Sequence, residues 1–414
     1  MSLPYMAWRY LASRLPVTVL TLAGIALGAA LVCGVLTLKR ESESAFAREA
    51  ALFDLIVGGK GGSLQLVLSS LYHLDVPSGN VPYSDYERLR RDSRVEWAAP
   101  VGLGDNYAGY RIIGTEAHFF DLTDHDGEAF FEFVEGDRFQ DRFEVVLGSE
   151  VARTTGLKIG DSFAGTHGLV EVAGSEVHEE FPYTVSGILA PTETTQDRAI
   201  FGTLASVWEI HETEDRLHSA IQGRATLQRE EPRETTAILM RLETPGLRLR
   251  IADEIRRQTG GIAAIPLNEV LRLYQGIVAP MQKALLGVAA AVVIASCLTV
   301  LATLLQAGER RRRDLAILRS LGARPWEVAA LMFLEGLLLS AIGLGLGWLA
   351  GHGILALAAS WLRESSGLVI SAWSSGSDEA TAFALMGLCS LIATIFPAVV
   401  AYRRSPLKDL SLED

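Results

Sequence analysis

The sequence predicts a membrane protein with four transmembrane α-helices and a large α+β extracytoplasmic domain between spans one and two. The first observation is composition. Of the 414 residues, 49% are hydrophobic and only 21% are charged, which is too apolar for an ordinary soluble protein of this length. The second is a set of apolar runs, each long enough to cross roughly 30 Å of hydrocarbon. These predicted spans cover residues 15–38, 284–308, about 328–355 and 380–402.

A third observation is that negative charge is concentrated between spans one and two. Residues 39–279 contain 24 Lys and Arg against 39 Asp and Glu, a net charge of −15, whereas the rest of the chain carries +3. We therefore predict that residues 39–279 form a separate domain with an acidic surface. Such a surface excludes nucleic acid as a partner, because phosphate binding requires a basic one. All three cysteines lie in predicted spans, so the domain has no disulfide framework.

Basic residues set the predicted orientation, because short loops rich in Lys and Arg stay on the cytoplasmic side. They lie before span one, in the segment 309–327 between spans two and three (the elbow), and in the tail 403–414. We therefore predict a multi-pass protein of the bacterial plasma (inner) membrane with both termini cytoplasmic. The predicted topology and lipid anchors are Arg9, Arg14, Arg310, Arg311, Arg312, Arg313, Arg403 and Arg404.

The first 38 residues predict an interfacial helix followed by a retained signal anchor. Aromatic and basic residues alternate between positions 3 and 15, as in helices that lie at a membrane surface. No small-residue cleavage site follows the apolar run, which indicates that the span is not removed. Gly24 and Gly28 are spaced to let another helix approach closely.

The elbow predicts a helix and then a sharp bend. Leu315, Leu318 and Leu321 recur every three residues, which favours a helical continuation of span two. Gly322 suits a left-handed C-terminal cap, and Pro325 suits the first turn of the next helix. We therefore expect the chain to turn between Gly322 and Pro325.

Span three contains a carboxylate and a series of glycines. Glu335 is the only acidic residue inside any predicted span, and intramembrane carboxylates are functional candidates by default. Its place near the cytoplasmic end favours an anchoring role instead, in contact with interfacial water or the neighbouring arginines. Glycines at positions 343, 345, 347 and 351 again permit close helix packing.

The acidic domain shows both helical and strand patterns. Residues 41–55 predict a helical extension of span one, and residues 84–92, 247–258 and 267–278 predict further helices. Short β-like runs lie at residues 110–114, 144–147, 183–189 and 237–242, separated by turn residues.

Two acidic segments of this domain also contain histidines, which together with carboxylates can bind zinc. Incidental histidines in acidic loops are far commoner, so we predict no metal ligand and no resident cofactor. No Ser/His/Asp arrangement or nucleophile elbow indicates catalysis, and we predict no catalytic residue. The two segments contain His118, Asp121, Asp124, His125 and Asp126, and Glu209, His211, Glu212, Asp215 and His218.

The four-span plan and several motifs together resemble the MacB/FtsX-type permease of ABC transporters. In the elbow these are Arg313-Asp314-Leu315-Ala316-Ile317 and Leu321-Gly322-Ala323, and in the tail Arg403 to Leu410. In the domain, residues 145–152 followed by 156–161 resemble the core-domain signature of the family. By this resemblance, residues 1–38 hold the interfacial helix and first span, 39–279 a MacB-like core domain, and 280–414 an FtsX-like domain. Asp314 replaces the usual Glu, and Pro325 a usual polar residue.

The resemblance implies a mechanical role. Permeases of this family dimerise, bind cytoplasmic nucleotide-binding subunits and transmit ATP-driven closure to their outer domains. The chain has no Gly-x-x-x-x-Gly-Lys-Ser/Thr motif, so we predict that it is not an enzyme and that a separate ATPase subunit uses ATP and Mg. The residues predicted to contact that ATPase are Asp314, Arg319, Leu321, Gly322, Ala323, Arg324, Pro325 and Glu327.

Three functions remain open from the sequence. The first is an ABC permease that exports or extracts a hydrophobic or envelope-associated cargo, such as a lipoprotein, lipid, peptide or drug. The second is a non-transporting transmembrane regulator that activates an envelope enzyme, which predicts a stable periplasmic protein partner. The third is a sensor or metal-handling outer domain. A homodimer and a heterodimer with a related permease are both compatible with the sequence, as is contact with membrane lipid.

Overall fold

The computed structural model describes residues 3–124, 126–168, 177–221, 232–366 and 370–403, without the side chains of residues 214–221 and 364–366. It divides into two compact units. The first, here called the membrane unit, comprises Met1–Ser42, Ile277–Trp361 and Ile370–Asp414. The second, here called the sheet unit, comprises Glu43–Gly276 and Leu362–Val369.

Twelve α-helices lie in the described residues, with a π-helical turn at Tyr274–Val278 that joins the eighth to the ninth. In chain order they are α1 Leu3–Ala12, α2 Leu15–Ala51, α3 Ser63–Ser70, α4 Tyr83–Arg90, α5 Ser149–Thr155, α6 Leu204–Ile221, α7 Arg248–Thr259, α8 Pro266–Leu273, α9 Ala279–Arg310, α10 Arg312–Ser320, α11 Pro325–Ser366 and α12 Ser377–Arg403.

In the part of the chain that the structure describes, four helical segments are long and apolar enough to cross a membrane, as the sequence predicts. They are α2, the continuous helix Pro266–Arg310, the stretch Pro325–Arg363 of α11, and α12. Each extends beyond the apolar run that predicts it, because polar residues continue the helix past the hydrophobic core of the span. The predicted interfacial helix before span one corresponds to α1.

The glycines of span three pack against span one. A Cβ atom placed on Gly343 would come within 2.7 Å of Ile25, and one on Gly347 within 2.4 Å of Ala29. A Cβ atom placed on Gly351 would likewise lie 2.8 Å from the Cβ of Cys33. Only residues without a side chain allow this backbone approach of α2 to α11, which confirms the close packing predicted for these positions. Gly345 faces open space and takes no part in it.

Span four begins earlier than predicted, and this adds carboxylates to a spanning helix. Because α12 starts at Ser377, it includes Asp378 and Glu379 in its first turn, where the helix dipole favours negative charge. Glu379 is buried, and its Oε1 lies 3.0 Å from His352 Nε2. Asp378 and Glu379 precede the predicted span, so the prediction that Glu335 is the only acidic residue inside the spans stays a prediction, and Glu379 is a further buried carboxylate of the membrane unit.

The sheet unit is built on one mixed β-sheet. Ten strands are connected in the order β12-β1-β11-β3-β4-β9-β6-β8-β5, with β7 paired to β3 and β8, and β10 pairs separately with β2. The strands are β1 Leu55–Gly58, β2 Val81–Pro82, β3 Val95–Tyr107, β4 Tyr110–Thr115, β5 Phe133–Gly136, β6 Glu144–Leu147, β7 Ser162–His167, β8 Val177–Leu189, β9 Ala199–Thr203, β10 Glu234–Thr235, β11 Ala237–Leu242 and β12 Ile262–Ala264.

The predicted α+β class of this unit is confirmed. The four predicted strand segments lie within β4, β6, β8 and β11, and the predicted helices correspond to α4, α7 and α8 with its π-helical turn. Parallel pairs join β4 to β9 and β6 to β8, whereas the other pairs are antiparallel. An aromatic cluster fills the centre of the main core, with ring contacts among Phe119, Phe120, Phe131 and Phe201.

Candidate functional site

The helix of span two ends inside the arginine run. Helix α9 finishes at Arg310 and α10 starts at Arg312, with Arg311 between them at φ −102° and ψ 14°. The predicted uninterrupted continuation of span two through Leu321 is therefore wrong, although α10 itself is helical as expected. The side chain of Arg311, at the break itself, is buried in the membrane unit.

Arg311 forms a buried ion pair with Glu335. Its Nη1 donates to Glu335 Oε1 at 2.6 Å, and the two side chains are only 10% and 3% exposed. The guanidinium also lies over the ring of Tyr10 on α1, with Cζ 3.8 Å from the ring centroid. Glu335 thus contacts a neighbouring arginine, as predicted, but it is buried instead of reaching interfacial water. The pair and the ring connect α1, the break after α9, and α11.

The buried position of Arg311 separates it from the other predicted anchors. Arg9, Arg310, Arg313 and Arg403 are exposed, and Arg14 and Arg312 are partly exposed. These six remain predicted topology and lipid anchors, whereas the Arg311 side chain is held by protein contacts. Arg404 and the tail motif after it lie outside the described residues.

The bend after α10 has the capping that the sequence predicts. Gly322 has φ +105°, and the amide of Ala323 donates to the carbonyl of Leu318 at 3.0 Å, which closes the C-terminus of α10. Pro325 is the first residue of α11. The Arg324 amide donates to the Glu327 carboxylate at 2.7 Å, so Glu327 caps the start of α11 from its third position.

The two sides of α10 differ in what they contact. Leu315 is buried in a cluster with Val328, Met332 and Ala401, which fixes α10 against α11 and α12. Away from this cluster, three large apolar side chains of α10, the bend after it and the first turn of α11 are exposed, and we call these the elbow tip. They are Ile317, Leu321 and Trp326, exposed by 44%, 80% and 51%.

The elbow tip adds two residues that the site prediction omits, Ile317 and Trp326. Ile317 stands four residues before Leu321, a spacing that places both on one side of a helix, and this signal was available in the sequence. The other predicted coupling residues surround the tip: Asp314 and Arg324 are exposed, and Arg319, Ala323 and Glu327 are partly exposed. Solvent-exposed apolar groups in one place mark interaction surfaces.

The first histidine segment of the acidic domain is not brought together. His118 Nδ1 lies 3.1 Å from Glu116, and its Nε2 lies 2.7 Å from the carbonyl oxygen of Ala98. Asp121 instead pairs with Arg138 at 2.8 Å. Asp124 accepts from the amides of Asp126 and Glu128 within its own turn, and His125 lies outside the described residues.

The second histidine segment lies along α6 and is also dispersed. Glu209 pairs with Arg142 at 2.7 Å. The ring of His211 lies instead 5.6 Å from that of His167, a residue far away in sequence. Glu212 is the exposed neighbour of His211, and the side chains of Asp215 and His218 lie outside the described residues.

The contacts of Glu116, which include His118, predict that the stability of the sheet unit falls in acid. Burial favours the neutral form of Glu116, but hydrogen bonds from His118, Tyr83 and Tyr86 outweigh it and lower its pKa to about 2. A carboxylate with a lowered pKa stabilises the fold above its unfolded pKa, near 4.5, and this contribution is lost as pH falls towards about 2. We therefore expect Glu116→Gln to reduce the free energy of unfolding at neutral pH by up to about 3 kcal/mol.

The measurement is the unfolding midpoint of the solubilised chain as a function of pH. The variant should show a shallower loss of stability than the wild type between about pH 5 and pH 2. Glu135→Gln is the matched control, since this glutamate is exposed on β5. Parallel pH profiles for Glu116→Gln and the wild type would contradict the assignment.

The fold and the elbow define a class: a multi-pass membrane protein with a large mixed α/β domain between its first two spans. Family models then identify it. The MacB-like periplasmic core domain matches residues 18–258, more than half of the chain, and the FtsX-like permease C-terminal domain matches residues 286–406. The chain belongs to the MacB/FtsX-like family of ABC transporter permeases.

Two solved structures are similar in part. The crystal structure of the periplasmic region of MacB from Actinobacillus actinomycetemcomitans is 10% identical, with 54% of this chain and 95% of that chain covered at a TM-score of 0.33. The extracellular domain of the noncanonic ABC-type transporter YknZ from Gram-positive bacteria is 9% identical, with 51% and 97% covered at a TM-score of 0.28. The assignment depends on the family models, because TM-scores this low carry no argument. None of the curated proteins matches the chain.

Proposed function

We propose that the chain transmits ATP-driven motion from a separate cytoplasmic ATPase subunit to its extracytoplasmic domain, for export or extraction of a hydrophobic or envelope-associated cargo. The observation that carries the proposal is the elbow tip, where Ile317, Leu321 and Trp326 are exposed beside a capped bend. A partner that covers Leu321 would remove from water a side chain that now exposes 80% of its surface.

The coupling route runs from the elbow tip into the membrane unit. Helix α10 is fixed by Leu315 to α11 and α12, and the ion pair between Arg311 and Glu335 joins the end of α9 to α11. A push on the tip is therefore applied to packed helices instead of a flexible loop. This supports motion of spans two and three as a unit when the ATPase closes.

The remaining parts of the proposal follow from family membership. The ATPase subunit uses ATP and Mg, and the permease works as a homodimer or as a heterodimer with a related chain. Both termini and the elbow are cytoplasmic, with exposed arginines such as Arg310 and Arg313 at the lipid surface. In the alternative function, the same motion activates an envelope enzyme, and a periplasmic protein then remains bound after gentle solubilisation.

The test is recovery of an ABC ATPase with the chain from native membranes. We expect Leu321→Asp to reduce co-purification at least about 10-fold, because a charge at a central apolar contact costs about 2 kcal/mol or more of binding energy. Leu249→Asp is the matched control, since Leu249 is 74% exposed on α7 of the sheet unit. Full recovery of the ATPase with Leu321→Asp would reject the elbow tip as its contact, and absence of any ATPase with the wild type would reject the function.

A further inference from the structure

A buried carboxylate in the sheet unit has no hydrogen-bond partner. The side chain of Asp105 on β3 is 0% exposed, and among the residues that the structure describes neither of its oxygens has a hydrogen-bond partner. Ile112 and the buried ring of Tyr183 lie beside it, around Gly165. Removing an unpaired carboxylate from water costs many kcal/mol, so buried charges in proteins are paired or coordinate metals. Asp105 is therefore a group that a metal ion or a protonated histidine would stabilise.

Histidines from two neighbouring strands face this carboxylate. The register of β3 shifts between Leu103 and Asp105, a bulge that redirects the side chain after it. Asp105 is then directly opposite His167 of β7. His167 Nδ1 lies 3.9 Å from Asp105 Oδ1, and Nε2 of the buried His178 on β8 lies 3.4 Å from the same oxygen. The three ligand atoms all lie within 4.8 Å of one another.

A third histidine reaches the same place from α6. The ring centroid of His211 lies 5.6 Å from that of His167. A Cβ atom on Gly104, the residue before Asp105, would lie 2.4 Å from His211 Nε2, so a side chain at position 104 would displace this imidazole. Three strands and one helix thus bring one carboxylate and three imidazoles into one region, in which the ligand atoms of Asp105, His167 and His178 lie within 4.8 Å of one another and the His211 ring lies beside them.

We propose that Asp105, His167 and His178 bind a divalent transition metal of the zinc class, with His211 as the fourth ligand. Two ligands about 2.0 Å from a tetrahedral zinc lie about 3.3 Å apart, which is close to the observed separation of Asp105 and His178. The exposed His167 provides the entry path, since half of its side chain is accessible. The ion would neutralise Asp105 and hold β3, β7, β8 and α6 together.

The donor set selects among metals. Imidazole nitrogen suits Zn²⁺, Cu²⁺ and Ni²⁺, whereas Mg²⁺ and Ca²⁺ require oxygen ligands and would find only the carboxylate of Asp105 here. Zinc binding would make the extracytoplasmic domain of this permease responsive to a metal outside the cytoplasm. This inference is independent of the ATPase contact, because its residues lie in the sheet unit.

The experiment uses the full-length chain without an affinity tag, solubilised and treated with a chelator. Added Zn²⁺ should bind at one ion per chain and raise the unfolding temperature, whereas Mg²⁺ and Ca²⁺ should leave it unchanged. Co²⁺ as a spectroscopic probe should give the absorption of a four-coordinate site. We expect Asp105→Asn to weaken Zn²⁺ binding at least about 100-fold and His211→Gln about 10-fold or more, because even residues behind the ligands contribute this much.

The sign of the stability change separates a metal site from a structural ion pair. Without metal, Asp105→Asn should unfold at the same temperature as the wild type or higher, because it removes an unpaired buried charge. The matched control is Asp137→Asn, since this aspartate is 73% exposed, and it should retain zinc binding. Zinc binding by Asp105→Asn with wild-type affinity, or no zinc binding by the wild type, would overturn the proposal. Destabilisation of metal-free Asp105→Asn would assign Asp105 to an ion pair with His178.

Discussion

Gly322→Val should uncouple ATP hydrolysis from motion of the extracytoplasmic domain while leaving membrane insertion intact. Gly322 has φ +105°, a conformation that β-branched residues avoid, and no atom outside its neighbours lies within 4 Å of a Cβ placed there. The variant therefore introduces backbone strain without a steric clash. Strain of this kind costs about 1–3 kcal/mol, which corresponds to roughly a 5- to 150-fold change in a coupled equilibrium.

The strain is expected to act on the bend and not on the spans. Relief of the strain requires the C-terminal cap of α10 to open, which moves Leu321 relative to the start of α11. An ATPase seated on the elbow tip would then hydrolyse ATP without displacing α11. The prediction rests on the proposed function, and the tip variant Leu321→Asp tests binding separately from transmission.

Two readouts on the reconstituted permease and ATPase complex measure this effect. One is ATP hydrolysis, and the other is the ATP-dependent signal of a fluorophore attached at Leu249→Cys on the sheet unit, after replacement of the native exposed Cys389. Hydrolysis should persist, and the fluorescence change should fall roughly 10-fold. Gly345→Val is the matched control, because Gly345 also faces open space but lies within helix α11 at ordinary helical φ. An unchanged fluorescence response in Gly322→Val would count against the bend as the transmitting element.

Local patterns predicted the four spans and four of the twelve described strands. The four spans are long apolar runs, and β4, β6 and β11 are short buried strands, whereas only the second half of the 13-residue β8 was predicted. The bend at Gly322 and Pro325 could also be predicted, because each residue has a specific backbone preference. These features depend on residues close together in the sequence.

Features that depend on tertiary contacts could not be predicted from the sequence. Arginine favours helices, so nothing local indicates that α9 ends at Arg310; the residue at the break, Arg311, contacts Glu335, 24 residues away. The same limit applies to metal ligands. The histidine-rich segments were candidates because their residues are adjacent in sequence, yet His118 bonds to Glu116, whereas Asp105 and His167 are brought together by the pairing of β3 with β7.

Loss of either partner of the Arg311 and Glu335 ion pair should destabilise the membrane unit more than loss of both. The two charges contact at 2.6 Å and are almost wholly buried, so Arg311→Met leaves Glu335 as an uncompensated buried charge. Removing one partner of such a pair costs about 3–5 kcal/mol, whereas replacing both by apolar residues of similar volume is often neutral. We therefore expect Arg311→Met and Glu335→Leu each to lower the unfolding temperature of the solubilised chain, and the double variant to recover most of the loss.

The double variant also separates stability from transmission. If the ion pair serves only to satisfy two buried charges, the Arg311→Met, Glu335→Leu chain should show wild-type stability and wild-type ATP-dependent motion. If the break after α9 is required for coupling, stability should return while motion stays impaired, because the double variant lacks the contact between residue 311 and Glu335 that accompanies the break. Arg313→Met is the matched control, since Arg313 is exposed on α10. Additive destabilisation in the double variant would show that the two side chains do not act as a pair.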